Sequence, residues 1–399
     1  MTKKEQLKAP KLRFKGFTDA WEQRKLGDFG KVAMNKRIFK DQTTEEGDIP
    51  FYKIGTFGEK PDTFISRELF EEYKEKYPYP KVGDLLISAS GSIGRTVEYK
   101  GEDAYYQDSN IVWLDHDDRL DNSFLKQLYR KVKWKGLEGS TIKRLYNKNI
   151  LSTDVNIPSV NEQKSIGTFF RKIDDTIALH EEKLAQLQQL KKGLLQKMFA
   201  DNNQQVPVLR FNGFDDAWEQ HKLGDIASIF SGGTPSISHK EYYGGNIPFI
   251  RSAEINSKTT ELFLTEQGLN NSSAKRVESG DILYALYGAT SGEVGISKIN
   301  GAINQAILDI KPSEEYNSYF IMQWLRNNKS RIVNTYLQGG QGNLSGKIIK
   351  ELMISSPKTK EQQKIGIFLQ KLDTTITLHQ RELDTLKKVK KYLLQNLFI

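Results

Sequence analysis

Pro10–Phe29 reads PKLRFKGFTDAWEQRKLGDF, and Pro207–Ile226 reads PVLRFNGFDDAWEQHKLGDI. A second pair lies further along. Pro158–Phe199 and Pro357–Phe398 share EQ, IG, F, TI and LH, then LL and Q, in the same order. Both pairs recur with a period of about 197–199 residues, half of the 399-residue chain. The chain is therefore a tandem duplication and not a solenoid of short repeats.

The middles of the two units share only framework points. Ile49-Pro50-Phe51-Tyr52-Lys53 aligns with Ile247-Pro248-Phe249-Ile250-Arg251, and Gly83-Asp84-Leu85-Leu86 with Gly280-Asp281-Ile282-Leu283. Variable and near-identical blocks thus alternate. This divides the chain into a first domain at 1–156 (opening motif 10–29), a spacer helix at 157–200 and a linker at 201–206. A second domain follows at 207–355 (opening motif 207–226), then a second spacer helix at 356–399.

Each spacer opens on a capping-box pattern, Ser159-Val160-Asn161-Glu162 and Thr359-Lys360-Glu361-Gln362. No proline follows in either, so each predicts one helix of about 38 residues, roughly 57 Å long. In the first, Ile166, Phe170, Ile173, Ile177, His180, Leu184, Leu187, Lys191, Leu194 and Met198 fall at four–three spacing, the pattern of a coiled-coil seam. Ile365, Leu369, Leu372, Ile376, His379, Leu383, Leu386, Lys390, Leu393 and Leu397 repeat it, polar interruptions included. Heptads commonly make homodimers, but two matched seams in one chain are able to pair with each other. Antiparallel pairing would set the variable domains at opposite ends. His180 and His379 read as register-setting polar positions in preference to metal ligands.

The middles read as α/β or α+β. Turn dipeptides Gly83-Asp84 and Gly280-Asp281 lead into strands Leu85–Ser88 and Ile282–Tyr287, with further strands at Ile111–Leu114 and Ala306–Ile310. Ser123–Lys133 and Tyr319–Asn328 read as helices. The loops between carry side chains suited to nucleic acid. In the first domain these are Lys36, Arg37, Lys53, Ser90, Ser92, Arg95, Tyr106, Gln107, Thr141, Lys143 and Arg144. In the second they are Ser231, Gly232, Gly233, Thr234, Ser236, Arg251, Tyr287, Thr290, Ser291, Asn304, Gln305, Gln341, Asn343 and Lys347. Arg and Lys pair with guanine or phosphate, Asn and Gln with adenine, and small residues let backbone N–H groups approach phosphate. Singly each is an ordinary loop residue; as two sets on one frame they read as binding surfaces.

Composition agrees. The 59 Lys+Arg against 50 Asp+Glu give a net charge of +9, which suits a polyanion partner. Cysteine is absent, which excludes disulfides, thiolate metal sites and a cysteine nucleophile. The five histidines show no metal-ligand spacing. No apolar run is long enough to span a membrane, and Met1–Lys11 lacks a signal-peptide core, so the start reads as cytoplasmic. Gly342–Ile348 fails as a phosphate loop, with Gln341 and Ile348 where glycine and Ser/Thr are required. Gly340-Gln341-Gly342 lacks the third glycine of a dinucleotide loop, and no G-x-S-x-G elbow occurs. No catalytic site is predicted.

The repeated LRFxGFxxAWEQxKLGD motif, the Ile-Pro-Phe step, the SGGTPS loop at Ser231–Ser236 and the paired Glu-Gln…Ile-Gly…Asp…Ile…His helices resemble the specificity subunits of type I restriction–modification enzymes. The resemblance covers essentially the whole chain, with Lys31–Phe39 standing where the first domain would carry SGGTPS. It implies two target-recognition domains that each read half of a split double-stranded DNA site. It also implies paired helices that set the gap, about 13–15 base pairs for roughly 57 Å of helix. The partners it implies are two adenine-N6 methyltransferase subunits using S-adenosylmethionine and restriction subunits using ATP and Mg²⁺. Those cofactors would sit on the partner chains and none on this one. The competing readings are a scaffold with two protein-binding domains on a coiled coil, a self-sufficient nucleic-acid enzyme and an RNA binder.

Overall fold

Two long helices, Val160–Met198 and Thr359–Asn396, run through the spacers as the sequence predicts. The computed structural model describes residues 9–135, 144–200, 205–337 and 343–399. Contacts gather the chain into two units, Met1–Glu181 with Arg381–Ile399, and Glu182–Gln380. Each unit therefore holds the start of one long helix and the end of the other.

In the first unit the opening motif forms a strand, Glu22–Lys25, antiparallel to Asp154–Ile157 at the foot of the first long helix. Between them lie two sheets. Gly30–Ala33, Ile111–His116, Leu85–Ser88 and Thr96–Glu98 form an antiparallel sheet in that order. Ile49–Tyr52 pairs antiparallel with Phe64–Ile65 and parallel with Tyr105–Tyr106. Helix Asn122–Tyr129 packs against the long helix; Asp121 caps it by accepting from the Phe124 N–H at 3.0 Å.

The second unit repeats the plan. Glu219–Lys222 pairs with Met353–Ser356. Ala227–Ser231, Ile307–Pro312, Ile282–Ala285 and Val294–Ile296 form the antiparallel sheet. Tyr243–Ile250 lies antiparallel to Leu262–Leu264 and parallel to Gly301–Ile303, which also pairs with Lys275–Val277. Asn317 caps helix Ser318–Asn327.

The duplicated motifs fasten each long helix to its unit. Arg13 of the first LRF makes two 2.7 Å hydrogen bonds to Glu162, which is only 1% exposed. Arg210 grips Glu361 in the same way at 2.7 and 2.8 Å. The expected capping boxes are thus not made. Ser159 Oγ accepts from Glu162 N at 3.4 Å, but the Glu162 carboxylate turns to the Arg13 fork and its two charge-assisted bonds. In the second spacer Thr359 Oγ1 donates to Glu315 O, and Gln362 is taken by other backbone groups. The neighbouring glutamines bind the short helices. Gln163 Oε1 accepts from Asp121 N, and Gln362 Oε1 from Asn317 N. The Ile-Gly step is a close approach. A Cβ on Gly167 would lie 2.1 Å from Ser123 Oγ, and one on Gly366 would lie 2.4 Å from Asn317 Oδ1.

The seam is legible within each unit. In the first, Ile166 and Phe170 are buried, Ile173, Ile177 and His180 half-buried, and their exposed neighbours alternate around them. Leu383 is buried and Leu386 half-buried on the returning helix, whose end adds Leu397 and Phe398 to a cluster with Trp21 and Phe124. The run is antiparallel, since Lys390 pairs with Asp174 and Lys387 with Glu181. In the second unit Leu184 is buried and Leu187 half-buried, with Ile365, Leu369, Leu372, Ile376 and His379 on the other helix, all buried or half-buried. Here Lys191 pairs with Asp373 at 2.5 Å, the counterpart of Lys390 with Asp174. The seam lysines are therefore ion-pair partners and not part of a solvated face.

Candidate nucleic-acid interface

The two parallel strand pairs decide where side chains emerge. Tyr52 lies opposite Tyr106, so the next residues, Lys53 and Gln107, leave the sheet together. In the second unit Ile250 lies opposite Ile303, and Arg251 and Asn304 take the same exits. A third matched position precedes Leu145 and Leu344, whose N–H groups donate to Ala89 O and Leu286 O. It is held by Arg144 and Asn343. The fourth follows the first strand of each sheet. Ala33 pairs with Trp113 opposite Leu86, and Phe230 with Asp309 opposite Leu283. Arg37 and Thr234, four residues on, therefore occupy equivalent places, and the counterpart of the SGGTPS loop narrows from Lys31–Phe39 to Met34–Phe39.

In the first unit Arg37, Lys53, Gln107 and Arg144 converge on one groove of about 690 Å³, with Lys40, Phe39 and Asp108 also on its walls. Arg37 is 68% exposed and 3.9 Å from Asp108. Lys53 pairs with Asp62 at 3.0 Å. Arg144 Nη2 donates to Ser109 Oγ at 2.6 Å and to its carbonyl at 3.2 Å. Gln107 Oε1 accepts from Ile54 N at 2.9 Å.

The second unit builds a pocket of about 470 Å³ at the matched place from Thr234, Arg251 and Asn304, with Ile237, Lys240, Tyr243 and Leu262. Its wall is more apolar, and Ile237 is 83% exposed. Thr234 Oγ1 donates to Gln305 Oε1 at 2.5 Å, and Asn304 Oδ1 accepts from Ala306 N at 3.0 Å. Arg251 is clamped. Its guanidinium bonds Glu254 at 2.8 and 3.1 Å and Glu261 at 2.6 Å. That contact holds the Glu254 carboxyl at about 2.

Other predicted residues are placed elsewhere. Tyr106 is 2% exposed, stacked on Tyr52 at 5.7 Å, with its hydroxyl donating to Glu102. It is a core residue because its strand is sandwiched. Gly232 and Gly233 are buried too. A Cβ on them would meet Ile303 O at 1.9 Å and Ser273 Cβ at 2.4 Å. They let the loop lie flat on the sheet, which leaves Ser231, Thr234 and Ser236 exposed. Thr290 and Ser291 hydroxyls close their own loop on Tyr287 O and Leu286 O, with the Tyr287 ring exposed. Ser90 donates to Asn110 Oδ1, while Ser92 is exposed. Arg95 pairs with Glu59 at 3.2 Å, and Lys36 lies 5.1 Å from the Tyr77 ring centre. Asn343, Gln305 and Lys347 are exposed. Thr141, Lys143 and Gln341 lie outside the described residues.

Sequence reasoning missed Lys40, Lys240 and Ile237, which line the grooves. It also missed Asp309. This residue is fully buried, neither carboxylate oxygen accepts a hydrogen bond, and Lys311 Nζ stands 3.7 Å away. Burial, reinforced by Asp281, pushes its carboxyl up to about 7. A charged residue inside the apolar run Ile307-Leu308-Asp309-Ile310 was the available signal. No helix among the described residues is long and apolar enough to cross a membrane.

Residues 18–189 and 215–388 each match the model of the type I restriction modification DNA specificity domain. A putative type I restriction enzyme specificity subunit of Haemophilus influenzae is 57% identical over 150 residues, 37% of this chain and 39% of that relative. The chain thus spans about two fifths of that relative. The putative MjaX specificity subunit of Methanocaldococcus jannaschii is 24% identical over 395 residues, covering 93% of this chain and 91% of its own. The crystal structure of the S subunit of a type I restriction–modification system from M. genitalium shares the fold. It matches with a TM-score of 0.68 and 18% identity over 98% of this chain and 99% of that one.

Proposed function

The chain belongs to the type I restriction–modification DNA specificity family, and on that premise we propose that it reads a split double-stranded DNA target, one half with each unit. The observation that carries this is the pair of grooves at register-matched places on two copies of one frame, lined by different side chains. A duplicated frame with diverged grooves suits a ligand that presents two related but unequal faces, as a bipartite duplex does. Arg37, Arg144 and Lys40 offer donors to base edges and phosphates in the first groove, and Lys240 and Asn304 in the second.

The chain performs no chemistry of its own in this reading. It positions two adenine-N6 methyltransferase subunits and the restriction subunits inside the cell, and the paired helices set the gap between half-sites. S-adenosylmethionine, ATP and Mg²⁺ would be held by those partner chains. The test is to express the chain with its methyltransferase partner in a host free of adenine methylation and map N6-methyladenine. A split motif with a methylated adenine in each half is expected; a continuous motif or none refutes it. Binding of the purified protein to duplex DNA should also weaken steeply with salt, because phosphate contacts release counterions. Salt-independent binding, or none, would instead favour a protein scaffold.

A further inference from the structure

We propose that the two grooves read opposite classes of base pair, the first selecting guanine and the second A·T, through the polarity of the hydrogen bonds they have left to offer. This rests on the reading that the units bind duplex DNA. The basic residues at the most obvious matched position do not discriminate, because each is held by carboxylates and each keeps some N–H groups. Lys53 is paired with Asp62, and three N–H bonds of Arg251 go to Glu254 and Glu261. An arginine held between two carboxylates builds the groove wall.

What the matched positions of the first groove present is donors. The Arg37 guanidinium lies too far from Asp108, at 3.9 Å, for a hydrogen bond, and it sits 5.7 Å from the Phe39 ring centre, which restrains its fork. Arg144 is anchored through one nitrogen to Ser109, leaving the rest of its fork. Gln107 has its carbonyl oxygen occupied by the Ile54 N–H, so only its amide N–H₂ faces a ligand. The Arg37 fork matches the two adjacent acceptors of guanine, O6 and N7, and opposes the N6 amino group of adenine, with the Asp108 carboxylate beside it as an acceptor on the same wall.

The second groove keeps a donor at one of these places and differs at another. Asn304, like Gln107, has its oxygen held by the backbone, at Ala306 N, and presents donors. Thr234 stands where Arg37 does. Its hydroxyl proton points to Gln305, so it presents a lone pair. One donor beside one acceptor matches adenine N7 and N6. Ile237, 83% exposed beside Leu262, gives the methyl of the paired thymine an apolar contact.

The experiment uses the full chain with its methyltransferase partner and compares methylomes of wild type, Arg37→Ala, Arg37→Lys and Thr234→Val. Arg37 and Thr234 are exposed, and continued methylation at the wild-type sites reports that each variant is folded and assembled. In the wild type a split motif is expected. Arg37→Ala should relax one position of one half, formerly guanine, with preference falling roughly 10-fold or more. Arg37→Lys, which keeps the charge but not the fork, should relax the same position. Thr234→Val should relax a position in the other half that was adenine or thymine. A relaxed position of the opposite class, or an unchanged motif in both Arg37→Ala and Thr234→Val, overturns the proposal while leaving the split motif standing. Absence of a split motif in the wild type overturns the functional reading beneath it.

Discussion

Gly167 and Gly193 lie in the same long helix, and replacing each with alanine should have opposite effects. At Gly167 a Cβ would stand 2.1 Å from Ser123 Oγ, 2.7 Å from Phe124 N and 2.8 Å from Ser123 C. The serine hydroxyl has room to rotate, but the two backbone atoms do not. They belong to a helix start held by Asp121. Helix Asn122–Tyr129 must therefore back away, carrying fully buried Phe124 off Phe398 and Trp21, whose rings lie 5.3 and 6.0 Å from it. Overpacking of this kind costs about 1–3 kcal/mol, and with a backbone displaced the upper end applies. The gain in helix propensity, about 1 kcal/mol, offsets part of it. The net expectation is a loss of about 1–2 kcal/mol. At Gly193 nothing lies within 4 Å, so only the propensity acts and stability should rise by about 1 kcal/mol. Urea unfolding followed by tryptophan fluorescence reads both. Trp21 sits in the affected cluster, so the Gly167→Ala transition should move first at that probe. A Gly167→Ala protein as stable as the wild type would refute the close-packing account of the Ile-Gly motif. A destabilised Gly193→Ala protein would refute the claim that this face is open.

Arg13→Met strands a buried Glu162 carboxylate and should cost about 3 kcal/mol, whereas the double variant with Glu162→Met should recover most of the loss. A double-mutant cycle by urea denaturation checks this, and equal losses in the single and double variants would refute it. Asp309 has its carboxyl raised to about 7 in the folded chain by burial, above its unfolded value. The folded state thus holds this proton where the unfolded state has released it. The stability it contributes is complete below the unfolded pKa near 4 and is lost as pH rises toward 7. Asp309→Asn should flatten that slope between pH 4 and 7 and stabilise the second unit at pH 8, by on the order of 2 kcal/mol. Denaturation midpoints at pH 5 and 8 test it, and an unchanged slope in the variant would refute it.

The duplication and both long helices were legible because their signals are local and sustained. A four–three spacing kept for nearly forty residues has one structural reading, and its recurrence with the same polar steps, Lys191 with Lys390, marked the second seam as a copy of the first. The partners of these lysines, Asp373 and Asp174, belong to the opposite helix, and nothing local in the sequence couples them. Likewise Glu162 read as half of a capping box, since the residue that claims it, Arg13, lies far back in the chain.

The candidate site was legible as a list of loop residues but not as a surface. Residue types and matched frame positions were enough to name Arg37, Lys53, Gln107 and Arg144. Their convergence on one groove depends on parallel pairing between strands some fifty residues apart. The same pairing buries Tyr106, presses Gly232 against Ile303 and brings Glu261 onto Arg251, and each changes what a residue is able to do. By itself the chain of residues determined two copies of one frame on antiparallel-compatible helices, because periodicity and repetition are properties of sequence. Which donors and acceptors remain free in each groove was decided only by tertiary structure. A side chain's chemistry toward a ligand is what its neighbours in space have not already used.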